Sequence, residues 1–322
     1  MGIGYSGAYS VPRLDLGEAF MEFMFNQTDH IGLELMPPFE SALREATFSK
    51  IVRESILRTV DLKRGVTGNY NRDEFEAEDD SYRCNEYGHE VPLGDVDRRR
   101  FRRDFDAESQ SAMHAWRRVL FGHELRVRNL IVDTVNFTTG NGLRTDVAVA
   151  WSAPQSTILS DARTAIDAIR ARTGMEPNIW WVGYKTISSL LVNQEIGDAL
   201  RHVEKLTLDV IEDNLPRLVG LPAGSRVLVG RGVTNTANKG QAAVLSDIWD
   251  GDTWSGFMRV PMGDLSEPGF GRTVLWTDDS PDTVTVEEYR EEQRRATIYR
   301  ARQFTDEKVI DRSFAQLLDI AA

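Results

Sequence analysis

Residues 46 to 100 constrain this chain more than any other stretch, because few of them could belong to a hydrophobic core. Lys63-Arg64-Gly65-Val66-Thr67-Gly68-Asn69-Tyr70 carries turn chemistry. Asp73, Glu74, Glu76, Glu78, Asp79 and Asp80 then fall within eight positions. Tyr82 to Val91 partly alternates between apolar and polar residues, as an extended strand with two different faces would. Loops this long are uncommon inside compact domains unless they serve a function. Two readings follow: a solvated hairpin or loose loop, or an arm whose partner surface lies on another subunit.

The residues before this stretch do not read as a compact domain either. Gly4-Tyr5-Ser6-Gly7 opens loosely, and Met36-Pro37-Pro38-Phe39 forbids regular helix. Between them, Ala19-Phe20-Met21-Glu22-Phe23-Met24-Phe25 is densely apolar and needs a cover. The chain's own core and a neighbouring subunit both remain open as that cover.

After the cluster Arg98, Arg99, Arg100, Arg102 and Arg103 comes the clearest single element. From about Asp106 to Val132 there is no proline, and Met113, Trp116, Leu120, Val127 and Ile131 recur at helical spacing. Asp106 and Glu108 complement a helix N-terminus. A helix of this length spans roughly 39 Å, a spine rather than an ordinary globular helix.

Beyond Phe137-Thr138-Thr139-Gly140-Asn141-Gly142 the pattern alternates between helix and strand. A helix is predicted over about 156–172, with Gly174 as its stop. Ile179-Trp180-Trp181-Val182 and Arg226 to Gly230 read as strands, with short helices at about 186–193 and 204–214. Strand and loop are expected around Trp249, Trp254 and Trp276, extended chain at Val284–Glu288 and Ile298–Phe304, and a final helical turn over Phe314–Ile320.

Catalytic equipment is sparse. Gly2-Ile3-Gly4-Tyr5-Ser6-Gly7 matches a dinucleotide fingerprint in letters only, since no strand precedes it. None of His30, His89, His114, His123 and His202 forms a helical i, i+4 pair, and one cysteine cannot build a structural zinc site, so no metal or cofactor is expected. Asp247, Asp250 and Asp252 could imitate a hydrolytic carboxylate site, although a solvated acidic loop explains them as well. Cys84 follows an acidic run and lacks the electropositive surroundings that activate a thiolate. The expectation is a protein that is not an enzyme.

Charge and cysteine content narrow the class further. Fifty acidic residues against 38 basic ones give a net charge of −12, which argues against a tight grip on nucleic acid. A single cysteine implies folding in a reducing compartment. The opening residues lack the pattern of a secretory signal, and no stretch approaches the ~18 apolar residues of a membrane span. Folding in the cytoplasm, away from membranes, is therefore expected.

Read in order, these segments resemble a tailed-bacteriophage major capsid protein of the Hong Kong 97-type fold. The most specific stretch is Trp151 through Leu191, with Pro154, Ala162, Ile166, Ile169, Thr173-Gly174, Pro177-Asn178 and Val182-Gly183. Tyr82 to Val91 resembles the descending strand of that family's extended loop, and Glu124 to Arg128 the end of its spine helix. Val227-Leu228-Val229-Gly230, Asn235 to Gly240, Ile248-Trp249 and Gly269 to Thr273 continue the likeness.

The resemblance implies an α+β fold: an N-terminal arm (1–45), an extended loop (46–100), a peripheral domain with the spine helix (101–142 and 281–322) and an axial domain (143–280). It implies a structural subunit that assembles with itself through pentamers and hexamers into an icosahedral head around phage double-stranded DNA, touched only weakly and non-specifically. Portal, separate scaffolding protein and decoration protein are the implied partners, and the virion capsid the location. Lys63 lies near the loop, but no acceptor for a covalent cross-link can be identified. Acidic Asp73, Glu74, Glu76, Asp79 and Asp80 set against Arg98, Arg99 and Arg100 of a neighbour, with Phe23 and Phe25 under another, are the expected contacts. Two alternatives stand beside this reading: an encapsulin-type compartment and, from another class, a carboxylate-dependent α/β hydrolase using the Asp247–Asp252 region.

Overall fold

The computed structural model describes residues 30–52, 76–101, 106–200, 207–238, 240–263, 267–278 and 282–321, the backbone of Val11 and Pro12, and separate positions between 57 and 74. Its backbone is organised by one long strand and one long helix.

The strand, Ala296–Val309, is flanked on both edges. Along one edge its first half pairs with Thr285–Glu291 and its end with Gly271–Trp276. Along the other, Asn85–Gly94 runs antiparallel to it from Ala296↔Gly94 to Thr305↔Asn85. Pro38–Ser41 adds in parallel beyond Gly271–Trp276, and Val11–Pro12 pairs with Thr285–Glu291. Among the described residues this makes a six-stranded sheet.

The helix, Ala107–Ile131, lies across that sheet. Asp106 caps it, its carboxylate accepting from the Glu108 amide at 3.1 Å. Its buried face carries Ala112, Ala115, Trp116, Val119, Leu120, Val127 and Ile131, the three-and-four spacing expected. Trp116 and Leu120 pack with Val284, Val286, Tyr299 and Ala301 of the sheet.

A second, five-stranded sheet runs in the order Arg144–Asp146, Ala315–Asp319, Trp254–Met258, Ile179–Gly183, Arg226–Gly230, with both parallel and antiparallel neighbours. Adjacent tryptophans serve its opposite faces. Trp180 stacks on Phe257, 5.0 Å between centroids, under the helices Ile158–Thr173 and Leu208–Val219. Trp181 meets Trp249 at 5.2 Å in the core shared with the long helix. Gly174 ends the first of these helices in the left-handed region at φ 71°, as the sequence predicts.

Three expectations are corrected. Phe314–Ile320 is not helical: a 3-10 turn at Arg312–Phe314 leads into the strand Ala315–Asp319. Leu317 faces one core and Leu318 the other, so both faces are buried and no alternation marks the strand. The short helices fall at Tyr184–Leu190, Gln194–Ala199 and Leu208–Val219 rather than at 186–193 and 204–214. Residues Asp95–Phe101, anticipated only as a charged run, form a helix of their own. Gly271–Trp276 belongs to the first sheet and Ala315–Asp319 to the second.

Candidate inter-subunit surfaces

The core-poor, acidic stretch forms an antiparallel hairpin, Glu45–Ile51 against Ala77–Arg83. A two-stranded hairpin is marginal by itself in water, and this one has little to bury beyond Phe48 and Tyr82, whose rings lie 6.5 Å apart. Leu43, Leu57, Leu62 and Tyr70, in and around it, are exposed, Leu62 to 88%.

What holds the hairpin is its root. At Cys84 the outgoing strand gives way to Asn85–Gly94. The Arg83 amide donates to Asp306 at 2.9 Å, and Lys308 donates to Asp80 at 2.6 Å. The Tyr82 and Ser41 hydroxyls are 2.6 Å apart, and the Arg44 guanidinium donates to the Cys84 carbonyl at 3.3 Å. Burial, the largest single influence, would raise the Asp80 carboxyl, but the Lys308 bond, the Ser81 amide and the charges of Lys308 and Lys50 together hold the group below the ordinary carboxylate range. Cys84 is fully buried, and burial pushes its thiol up to about 11.

A second polar knot ties the long helix to the long strand. Arg126 donates to both oxygens of Glu307 at 3.0 Å, and its guanidinium lies 3.6 Å from the Tyr87 ring centroid. Burial, the largest single influence, would raise the Glu307 carboxyl, yet the Arg126 bonds and charge, with His123 and the Thr305 hydroxyl, together bring it below its usual range. His123, beside it, is buried; Thr273 donates to the Met36 carbonyl at 2.8 Å, which leaves its oxygen to accept from His123 Nε2 at 3.2 Å. Burial pushes the His123 imidazole down to about 4, so it is neutral near pH 7.

The expected contact residues fall into separate groups. Asp80 is committed to Lys308 of its own chain. Glu78 faces Lys50 at 3.4 Å, Asp79 accepts from Ser49 at 2.7 Å, and Glu76 is 4.0 Å from Arg58; all three acids are exposed, as is Glu74. Arg98 pairs with Glu108, while Arg99 and Arg100 stand exposed on the short helix, whose Asp95 binds Arg290 through both oxygens at 2.6 and 2.8 Å. Acidic strand and arginine helix therefore sit at different places on one chain. Asp73, Phe23 and Phe25 lie outside the described residues, as do Arg102 and Arg103.

The Asp247–Asp252 region lines an open slot of about 590 Å3 with Lys185 and Arg128. Lys185 donates to Asp252 at 2.5 Å and lies 3.8 Å from Asp247, and Asp250 accepts from the Asp252 amide and the Thr253 hydroxyl. These acids are engaged with a cation and with their own loop. Among the described residues no cluster of three or more metal-binding side chains occurs, and no helix is long and apolar enough to cross a membrane.

Sequence reasoning missed Glu124, Arg126 and Glu307. Glu124 had a legible signal, a carboxylate set inside the apolar stripe between Leu120 and Val127. The Arg126–Glu307 pair had none, being 181 residues apart.

No family model matches the chain. No curated protein sequence matches it either. Solved structures do. A phage-related protein from Bordetella bronchiseptica RB50 superposes with a TM-score of 0.71 at 18% identity, over 97% of this chain and 98% of that one. The capsid of cyanophage P-SCSP1u gives 0.59 at 10% identity, over 99% and 90%. The SrpI encapsulin of Synechococcus elongatus PCC 7942 gives 0.52 at 11%, over 89% and 86%. At such identities the likeness establishes architecture, and the mixed second sheet excludes the largely parallel sheet of an α/β hydrolase. This chain has the Hong Kong 97-type capsid fold.

Proposed function

We propose that this chain is the major capsid protein of a tailed phage, a subunit that closes into an icosahedral shell through pentamers and hexamers. The observation that carries the reading is the extent of the likeness: it spans 97–99% of the chain in the two phage-associated structures, leaving little for a separate catalytic domain. The hairpin supports it, since its exposed leucines and tyrosine have little cover within the described residues of one chain. In the shell, the exposed acids Glu74, Glu76 and Asp79 lie over Arg99 and Arg100 of a neighbour. Individual exposed ion pairs are weak, so stability comes from their repetition. Separate scaffolding, portal and decoration proteins complete the particle, and packaged DNA meets a predominantly acidic protein only weakly.

The SrpI likeness favours one second reading, an encapsulin-type compartment. Electron microscopy of the purified protein tests both. Closed shells or rings of five or six are expected, and a monodisperse monomer at high concentration would count against either shell. Cargo separates them: double-stranded DNA with phage head proteins for a capsid, an enclosed enzyme for a compartment.

A further inference from the structure

The buried carboxylate of Glu124 stands where three parts of the molecule meet. It is 1% exposed in the middle of the long helix. One oxygen accepts from the Ile31 amide at 2.9 Å and the Trp249 indole at 2.5 Å, and the other accepts from the Gly32 amide at 2.7 Å. A β-carbon on Gly32 would come within 2.5 Å of that oxygen, so position 32 is shaped around it.

The segment these bonds hold cannot hold itself. Gly32–Leu35 is a single helical turn, far below the length at which a helix is stable alone. Ile31, Leu35 and Met36 are buried among Val127, Ile131, Trp181 and Trp249. Thr273 of the first sheet binds the Met36 carbonyl, and Arg226 of the second pairs with Glu34 at 3.0 Å. The turn is thus wedged between long helix, first sheet and second sheet.

We infer that Glu124 is a positioning residue for a separable plug, residues 31–36, which it holds in place between the long helix and the two sheets. The carboxylate supplies acceptors to three donors drawn from two distant segments. An amide in its place offers one acceptor oxygen and turns a donor toward the others. Hydrogen bonds to a charged acceptor are strong enough that losing one shifts a local opening equilibrium roughly tenfold or more. The inference concerns geometry within one chain and stands whether or not the chain builds shells.

Limited chymotrypsin digestion of the full chain, read by mass spectrometry, tests it. In Glu124→Gln, cleavage after Leu33 and Leu35 is expected to rise roughly tenfold or more while the rates at other sites stay at wild-type values. Trp249→Phe, which removes one donor and leaves the carboxylate, should give a smaller rise at the same two bonds. Unchanged cleavage there in Glu124→Gln would overturn the inference. So would acceleration at all sites together, or a Glu124→Gln chain recovered only unfolded, because the segment would then belong to the body's own cooperative unit.

Discussion

Arg126 covers the ring of Tyr87 and grips Glu307 with two nitrogens at once, joining the long helix, the root of the hairpin and the long strand through one side chain. Glu307 is nearly buried, its side chain only 5% exposed. Arg126→Ala leaves that carboxylate without its cation, a loss of about 3–5 kcal/mol by the usual cost of breaking a buried pair. Arg126→Lys should recover only part of it, since lysine reproduces neither the fork nor the stacking. Urea denaturation of the three proteins checks this, with hydrogen exchange at Tyr87 expected to quicken in the same order.

Acid should weaken the fold through His123. Its imidazole titrates near 4 when folded, against an ordinary 6.5. Between those values the unfolded chain binds a proton that the folded one does not, so stability is complete above pH 6.5 and falls as pH drops toward 4. The full shift corresponds to about 3 kcal/mol. Glu307, held low, loses its own contribution as acidity increases further, in the same direction. Unfolding midpoints measured from pH 7 to 4 should decline, and His123→Asn should flatten the slope above pH 4.5.

Cys84 should be silent toward thiol reagents. Burial lifts its thiol to about 11, and its sulfur lies 3.6 Å from the Val274 carbonyl, so little thiolate forms and no reagent reaches it. Labelling at pH 8 is expected to follow opening of the hairpin root. Rapid stoichiometric labelling of the native protein would show that the clamps of Asp80 and Asp306 do not hold.

Two glycines should respond very differently to alanine. At Gly183 a β-carbon would meet the Gly251 backbone at 2.4 Å, so two segments must separate, at a cost of about 2–3 kcal/mol. At Gly174 nothing lies within 4 Å except the Leu57 side chain at its edge, and only the left-handed φ of 71° resists, costing about 1 kcal/mol. Thermal unfolding of Gly183→Ala and Gly174→Ala distinguishes backbone contact from backbone conformation.

Charge reversal of Arg99 and Arg100 to glutamate should leave the isolated subunit's stability within about 0.5 kcal/mol, because both side chains are exposed. Shell yield in sedimentation should nonetheless fall steeply. Undiminished assembly would remove the proposed contact between acidic strand and arginine helix.

Much of the frame was legible because its patterns are local. Trp116, Leu120, Val127 and Ile131 mark the helix face at sight, and Gly174 marks a stop. The acidic run before Tyr82 falls in a largely exposed two-stranded hairpin, in keeping with its lack of core residues. The last strand was illegible for a physical reason: Leu317 and Leu318 are both buried, on opposite faces, so the period that identifies strands vanishes. The root clamps were hidden by distance, since Lys308 meets Asp80 across 228 residues and either charge alone looks like ordinary surface. Glu124 was readable and passed over, an acid in an apolar stripe that burial turned into a joint.

The long strand has a mechanical consequence. Asn85–Gly94 lies against Ala296–Val309 over ten consecutive register pairs, and the hairpin continues from its far end past Asp306 and Lys308. A pull on the hairpin along that line loads all ten rungs in shear together, instead of peeling them one after another. Tension arriving from outside the subunit would therefore be carried into the sheet beneath the long helix, and the weaker links, the exposed charge pairs at the hairpin's free end, would part first.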